Sequence, residues 1–236
     1  MIRFGISALP PEEGDDAAFL DGLVARGHTA FEFSFTSGFP WKEKRCVAFG
    51  RLAAERGVAI SIHAPYFAIL TSDDPEKAKL TRSALEHTMK LGHAFGSRVI
   101  VAHTGYVKGR TAEQLHDLAA ESLEVIGPKV RHLGVALGLE VGGTERAFGT
   151  LGDIALIAKR FPIVHPVVDW AHIHAMSGGA LTSKEAYLGV FAFLRERFSG
   201  WTNDPLHCQF TDNHSNCRSN RRHNLQLSGG GARQRR

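Results

Sequence analysis

Short apolar runs alternate with longer amphipathic ones along most of the chain, and that order constrains the fold more than any single residue does. The runs IRFGIS, AFEFSF, VAISIHA, RVIVAHT, VALGLEV, IVHPVVD and LHCQFT are rich in β-branched or aromatic residues. They show little apolar–polar alternation, the pattern of parallel strands covered on both faces. Helical patterns lie between them, over 12–26, 41–56, 75–95, 111–132, 150–161 and 183–198. Helix starts are marked by Ser72, Asp73 and Asp74 ahead of Pro75, by Thr111 with Gln114, and by Ser183. Glycines at 27, 57, 96 and 134 mark helix ends.

Strands and helices in strict alternation predict an α/β protein with a parallel sheet. A doubly wound open sheet and a (β/α)8 barrel both satisfy this order. Two observations favour the barrel. No G-x-G-x-x-G follows the first strand, and polar residues gather at the C-terminal ends of many strands, where barrel active sites are built. An eighth strand is not visible, so the expectation is a (β/α)8 TIM barrel lacking its eighth βα unit.

The 236 residues suit one large domain, read here as residues 1–212. Residues 213–236 carry six arginines and no acid among glycines and serines, and are expected to form a disordered basic tail. Without them the formal charge is −2, so the pI near 9.1 belongs to the tail and says nothing about what the body binds. No apolar run reaches the roughly 18 residues of a membrane span, and MIRFGIS reads as a strand rather than a signal peptide. Cys46, Cys208 and Cys217 have no C-x-x-C spacing, which fits a reducing cytoplasm and argues against a structural zinc finger.

The chemistry-bearing residues stand at strand ends. His63 closes SIH, His103 closes VAH and Glu140 closes LGLE; Asp169, His172 and His174 follow in VVDWAHIHA, and His207 opens HCQF. In a closed barrel these ends meet at one mouth and could surround metal ions. Imidazole with carboxylate suits zinc, with manganese or iron as competitors. His174 reads as an orienting or packing residue, Glu32 as a carboxylate of the barrel interior or rim, and Lys108 and Arg110 as loop charge. His28, His87, His93, His116, His132 and His165 fall away from the mouth. No G-x-S-x-G, Walker loop or Cys/His pair supports nucleophilic catalysis.

With these motifs in order, SIHAPYFAIL, VAHTGY, LGLEVGG, FGTLGDIALIAK and above all VVDWAHIHAMSGG, the chain resembles endonuclease IV. That is the apurinic/apyrimidinic endonuclease family of the xylose isomerase-like barrels, and the likeness is nearest to its archaeal-type members. The resemblance implies up to three Zn2+ ions, with Mn2+ as an alternative. By motif position, His63, His103 and Glu140 would hold one, Glu140 with Asp169 and His207 a second, and His172 with His223 a third. Glu140, as the bridge, would be the central catalytic carboxylate. The implied reaction is hydrolysis of the phosphodiester 5′ to an abasic site in double-stranded DNA, by a monomer. Tyr66 and Phe67 match the loop that would enter the duplex at the abasic gap.

Some positions depart from the family. The chain has no eighth-strand glutamate, Arg221 stands where several members have aspartate (Asp212 being a substitute), and Thr104 and Val141 replace a common proline and asparagine. The expectation is a C-terminally truncated or frameshifted member. Two rival functions stay open. A sugar isomerase or epimerase on this barrel would use Glu140, Asp169 and His207 around one metal but would not need His63, His103 and His172 together. An inactive remnant is the other.

Overall fold

In the computed structural model, residues 2–9, 11–35, 38, 41–198 and 206–210 are described. The expected tail at 213–236, with His223, and Asp212 before it, lie outside them. Strands and helices alternate as β1 (Gly5–Ala8), α1 (Asp16–Ala25), β2 (Ala30–Ser34), α2 (Glu43–Glu55), β3 (Ala59–His63), α3 (Pro75–Phe95) and β4 (Val99–His103). After a short β5 (Gly105–Tyr106) come α4 (Ala112–Val130) and β6 (Ala136–Glu140). A short β7 (Ala147–Phe148) then precedes α5 (Leu151–Arg160), β8 (Val164–Asp169), α6 (Trp170–Met176), α7 (Lys184–Arg197) and β9 (His207–Gln209).

The local signals act as their chemistry requires. Asp74 caps α3 by accepting from the Glu76 and Lys77 amides, and Thr111 with Gln114 forms a reciprocal capping box on α4. Gly96 ends α3 at φ 69°, a left-handed turn that a side chain would strain.

Seven parallel strands form one sheet in the order β1-β2-β3-β4-β6-β8-β9, while β5 and β7 pair antiparallel as a small flap. The sheet is curled into a half-barrel. Strands β2 and β9 are five places apart and would lie about 24 Å apart in a flat sheet. Instead the Glu32 carboxylate and the His207 ring are in direct contact at 2.8 Å across the interior.

The two faces of this sheet differ. One carries Phe31, Phe33, Ile60, Ile62, Ile100, Leu137, Leu139 and Val168, all in the core. Phe33 meets Phe49 of α2 and Phe95 of α3 at centroid distances of 5.2 and 4.7 Å, so this face takes the helices. The other, concave face follows from the registers Glu32↔Ser61, His103↔Glu140, Val167↔His207 and Asp169↔Gln209, because paired residues in a parallel sheet point the same way. Both faces are nonetheless covered, as expected for strands with little alternation: Val101 and Val167 are fully buried on the inner face, and its histidines and carboxylates stand mainly towards the strand ends.

Candidate metal centre

His63, His103, Glu140 and Asp169 are each the last residue of their strands β3, β4, β6 and β8. Parallel strands ending together bring them to one rim. Chain continuity then supplies His172. Asp169 caps α6, its Oδ1 accepting from the His172 amide at 3.0 Å, and one helical turn folds the His172 ring back over the strand ends. The periodicity predicts no helix over 170–176, yet the Asp-x-x-His spacing is in fact a helix cap.

Glu140 stands at the centre, almost fully buried. Its Oε2 lies 3.3 Å from His63 Nε2 and 3.4 Å from His103 Nδ1, while Oε1 lies 3.1 Å from His172 Nδ1. Burial alone would raise this carboxyl, but hydrogen bonds from His172 and His63 and the charge of His103 outweigh it and hold the group at about 2. Glu140 is therefore a carboxylate at any physiological pH.

Two of the imidazoles have their ring nitrogens sorted by backbone carbonyls. His63 Nδ1 lies 2.8 Å from the Ala64 carbonyl and His172 Nδ1 lies 2.9 Å from that of Val141. A carbonyl only accepts, so both Nδ1 atoms carry hydrogen and the Nε2 atoms are left for another partner. Burial would lower both rings, yet the neighbouring carboxylates raise them above the ordinary histidine value. His103 goes the other way, lowered by burial and by the charges of His63 and His172 against the pull of Glu140. Its Nε2 is buried with no hydrogen-bond partner among the described residues.

The ligand atoms fall into two overlapping groups, His63–His103–Glu140 and Glu140–Asp169–His172, each with its atoms within 4.8 Å of one another. A buried orphan nitrogen, neutral-capable imidazoles and a carboxylate shared between two groups fit divalent metal. Gly143 packs on this arrangement, and a Cβ there would overlap the His172 ring. Tyr66 covers it, its ring stacked on His103 at 5.2 Å with 22° between planes; Tyr66 and Phe67 are both substantially exposed.

His207 lies outside both groups. Its Nε2 bonds Glu32 Oε2 at 2.8 Å, and Ser61 Oγ donates to the same oxygen at 3.2 Å. Gln209 Nε2 donates to Glu32 Oε1 at 2.9 Å, so both carboxylate oxygens are engaged. Burial would raise Glu32, but the His207 hydrogen bond and charge hold it below the ordinary carboxylate value. Glu32 is thus an interior carboxylate with defined partners, and Gln209 is an inner-face residue that the sequence pattern does not single out. The i, i+2 spacing of His207 and Gln209 on one strand was the available signal. Arg110, read from sequence as loop charge, forms an ion pair with Asp73. His174 stays apart from both groups; its carbonyl accepts from Ser177 Oγ.

A family model described as the xylose isomerase-like TIM barrel matches residues 20–228. No curated protein matches the sequence. Among solved structures, the chain is similar to 3-keto-D-glucoside 4-epimerase from E. coli (14% identity, TM-score 0.67, covering 91% of this chain and 80% of that one). It is also similar to endonuclease IV from Thermus thermophilus (21% identity, TM-score 0.65, covering 83% and 72%). A third is D-psicose 3-epimerase from Clostridium cellulolyticum (16% identity, TM-score 0.59, covering 73% and 65%), so the chain spans just under two thirds of that enzyme's length. At these identities the structures share the fold, and they divide between a nuclease and epimerases. Among the described residues no helix is long and apolar enough to cross a membrane. The chain belongs to the xylose isomerase-like TIM barrel family.

Proposed function

We propose that this chain is a metal-dependent phosphodiesterase that cleaves DNA at abasic sites. The observation that carries the reading is the division of Glu140, with His63 and His103 facing one oxygen and His172 the other. A carboxylate so divided could serve two ions at once, and a one-metal isomerase would not need the His63–His103 side. His63, His103 and Glu140 would hold one ion, and Glu140, Asp169 and His172 the next. Zinc suits the first set of donors. Divalent ions held there would supply positive charge against the charge that develops on a reacting phosphodiester and would lower the pKa of a bound water.

The protein's own groups do the rest. Glu140, at about 2, keeps its charge and spaces the two histidine groups. The Ala64 and Val141 carbonyls take the Nδ1 hydrogens of His63 and His172, so that each Nε2, which faces a carboxylate here, would be the nitrogen turned to an ion. Asp169 anchors the turn that carries His172. Tyr66, stacked over His103 and open to solvent, with Phe67 beside it, offers the aromatic surface that would fill the gap of an abasic duplex.

A second reading, a sugar epimerase, draws on the polar inner face below the mouth, where Glu32, Ser61 and Gln209 would suit hydroxyl groups. Parallel assays separate the two. With added Zn2+, a duplex holding one abasic site is expected to be nicked on its 5′ side, and His103→Ala to lose at least about a hundredfold of that rate. No nicking, with turnover of a ketose instead, would replace the nuclease with the epimerase.

A further inference from the structure

Gln209 ends β9 beside Asp169 on the inner face, because the two residues are register partners of neighbouring parallel strands. Its amide has a forced orientation. Nε2 donates to Glu32 Oε1 at 2.9 Å, and turning the amide over would set its oxygen against a carboxylate held in its charged form. The oxygen is therefore the end left over. It is buried and has no hydrogen-bond partner among the described residues. An unpaired buried carbonyl oxygen is costly unless a donor or a cation reaches it. The neighbouring chemistry makes a cation the natural partner, since Asp169 and the Glu140–Asp169–His172 group lie on the same face.

We infer that Gln209 Oε1 is a ligand to the cation held by Glu140 and Asp169. The inference rests on the metal-dependent reading above. It gives the centre two unlike halves. His63 and His103 supply two nitrogens to one ion, a set that suits zinc. Glu140, Asp169 and Gln209 supply three oxygens to the other, joined by one nitrogen from His172, and a mainly oxygen set suits Mn2+. Glu32 is then a positioning residue. It belongs to neither ligand group, but its bond to Gln209 Nε2 decides which end of the amide is turned to the ion.

Equilibrium dialysis of the whole chain against Mn2+ and Zn2+ together, followed by elemental analysis, tests this. Wild type is expected to retain one zinc and one manganese. Gln209→Met, which keeps the side-chain length and removes the oxygen, is expected to weaken manganese at least about tenfold and leave zinc in place. Gln209→His restores a donor but a softer one, and is expected to replace the manganese with a second zinc, a change that a merely structural role would not produce. His103→Ala is expected to show the reverse, losing zinc while manganese stays. Circular dichroism melts confirm that each variant is folded. If Gln209→Met and Gln209→His both hold manganese as wild type does, the inference is wrong while the metal-dependent reading stands. If wild type holds neither ion, both fall.

Discussion

Two buried carboxylates on the same inner face, Glu32 and Glu140, have opposite surroundings. Each is bonded by histidine, Glu32 by one and Glu140 by several, and each is held below its ordinary pKa. Glu32 is closed, with its oxygens taking Ser61, His207 and Gln209 at 2.8–3.2 Å. Glu140 is open. Its histidines stand at 3.1–3.4 Å, and one of them leaves a buried nitrogen unpaired. A carboxylate with both oxygens engaged joins β2 to β9 across the interior, whereas histidines gathered around a shared carboxylate with a ring nitrogen left over are suited to receive a cation. The two regions should therefore fail differently when broken.

The largest effect is expected from Glu140→Ala. It should remove both ions together, lowering metal affinity by at least about a hundredfold in dialysis and abolishing any nicking. Glu32→Leu should do the converse. It strands the hydrogen-bonding groups of His207, Gln209 and Ser61 and should cost about 3–5 kcal/mol in urea unfolding. Zinc at His63 and His103 should survive it. If Glu32→Leu proves neutral in stability, the closed network is not what joins β9 to β2.

The pH dependence comes next in size. The depressed Glu140 gives stability that is complete above its ordinary 4.5 and lost as pH falls through about 2. The raised His63 and His172 give stability that is complete below the ordinary 6.5 and lost as pH rises through their folded values. Metal-free protein should thus be most stable between about 4.5 and about 6.5 in urea titrations with a chelator. Metal should reverse the upper limb, because ligation needs neutral imidazole, so its affinity should climb with pH and binding should release protons.

Smaller effects are expected nearer the rim. Gly143→Ala presses on the His172 ring and should weaken the Asp169-side ion about tenfold in dialysis, with zinc at His63 unchanged. Tyr66→Ala should leave metal content and melting unaltered and raise KM for abasic duplex severalfold, since the ring lies on the outer side of the site.

Much of this centre could be read before any coordinates. The succession of short apolar runs and longer amphipathic ones placed all seven sheet strands, and strand termini placed His63, His103, Glu140 and Asp169 together, because a parallel sheet ends its strands on one side. What the sequence does not reveal is pairing between residues distant along the chain. Nothing near Glu32 announces His207, which follows it by 175 positions. Gln209 was passed over because its type is rarely a ligand, and only the register with Asp169 brings it to the rim. The α6 helix was missed because seven residues are too few for a periodic pattern, although Asp169 and the His172 amide satisfy a cap rule.

Anomalous X-ray scattering from zinc-soaked crystals tests the central claim most directly. Two peaks flanking the Glu140 carboxylate are predicted, one about 2.1 Å from ring nitrogens of His63 and His103 and the other on the Asp169–His172 side. A single peak confined to Glu32 and His207, or none at Glu140, would contradict it.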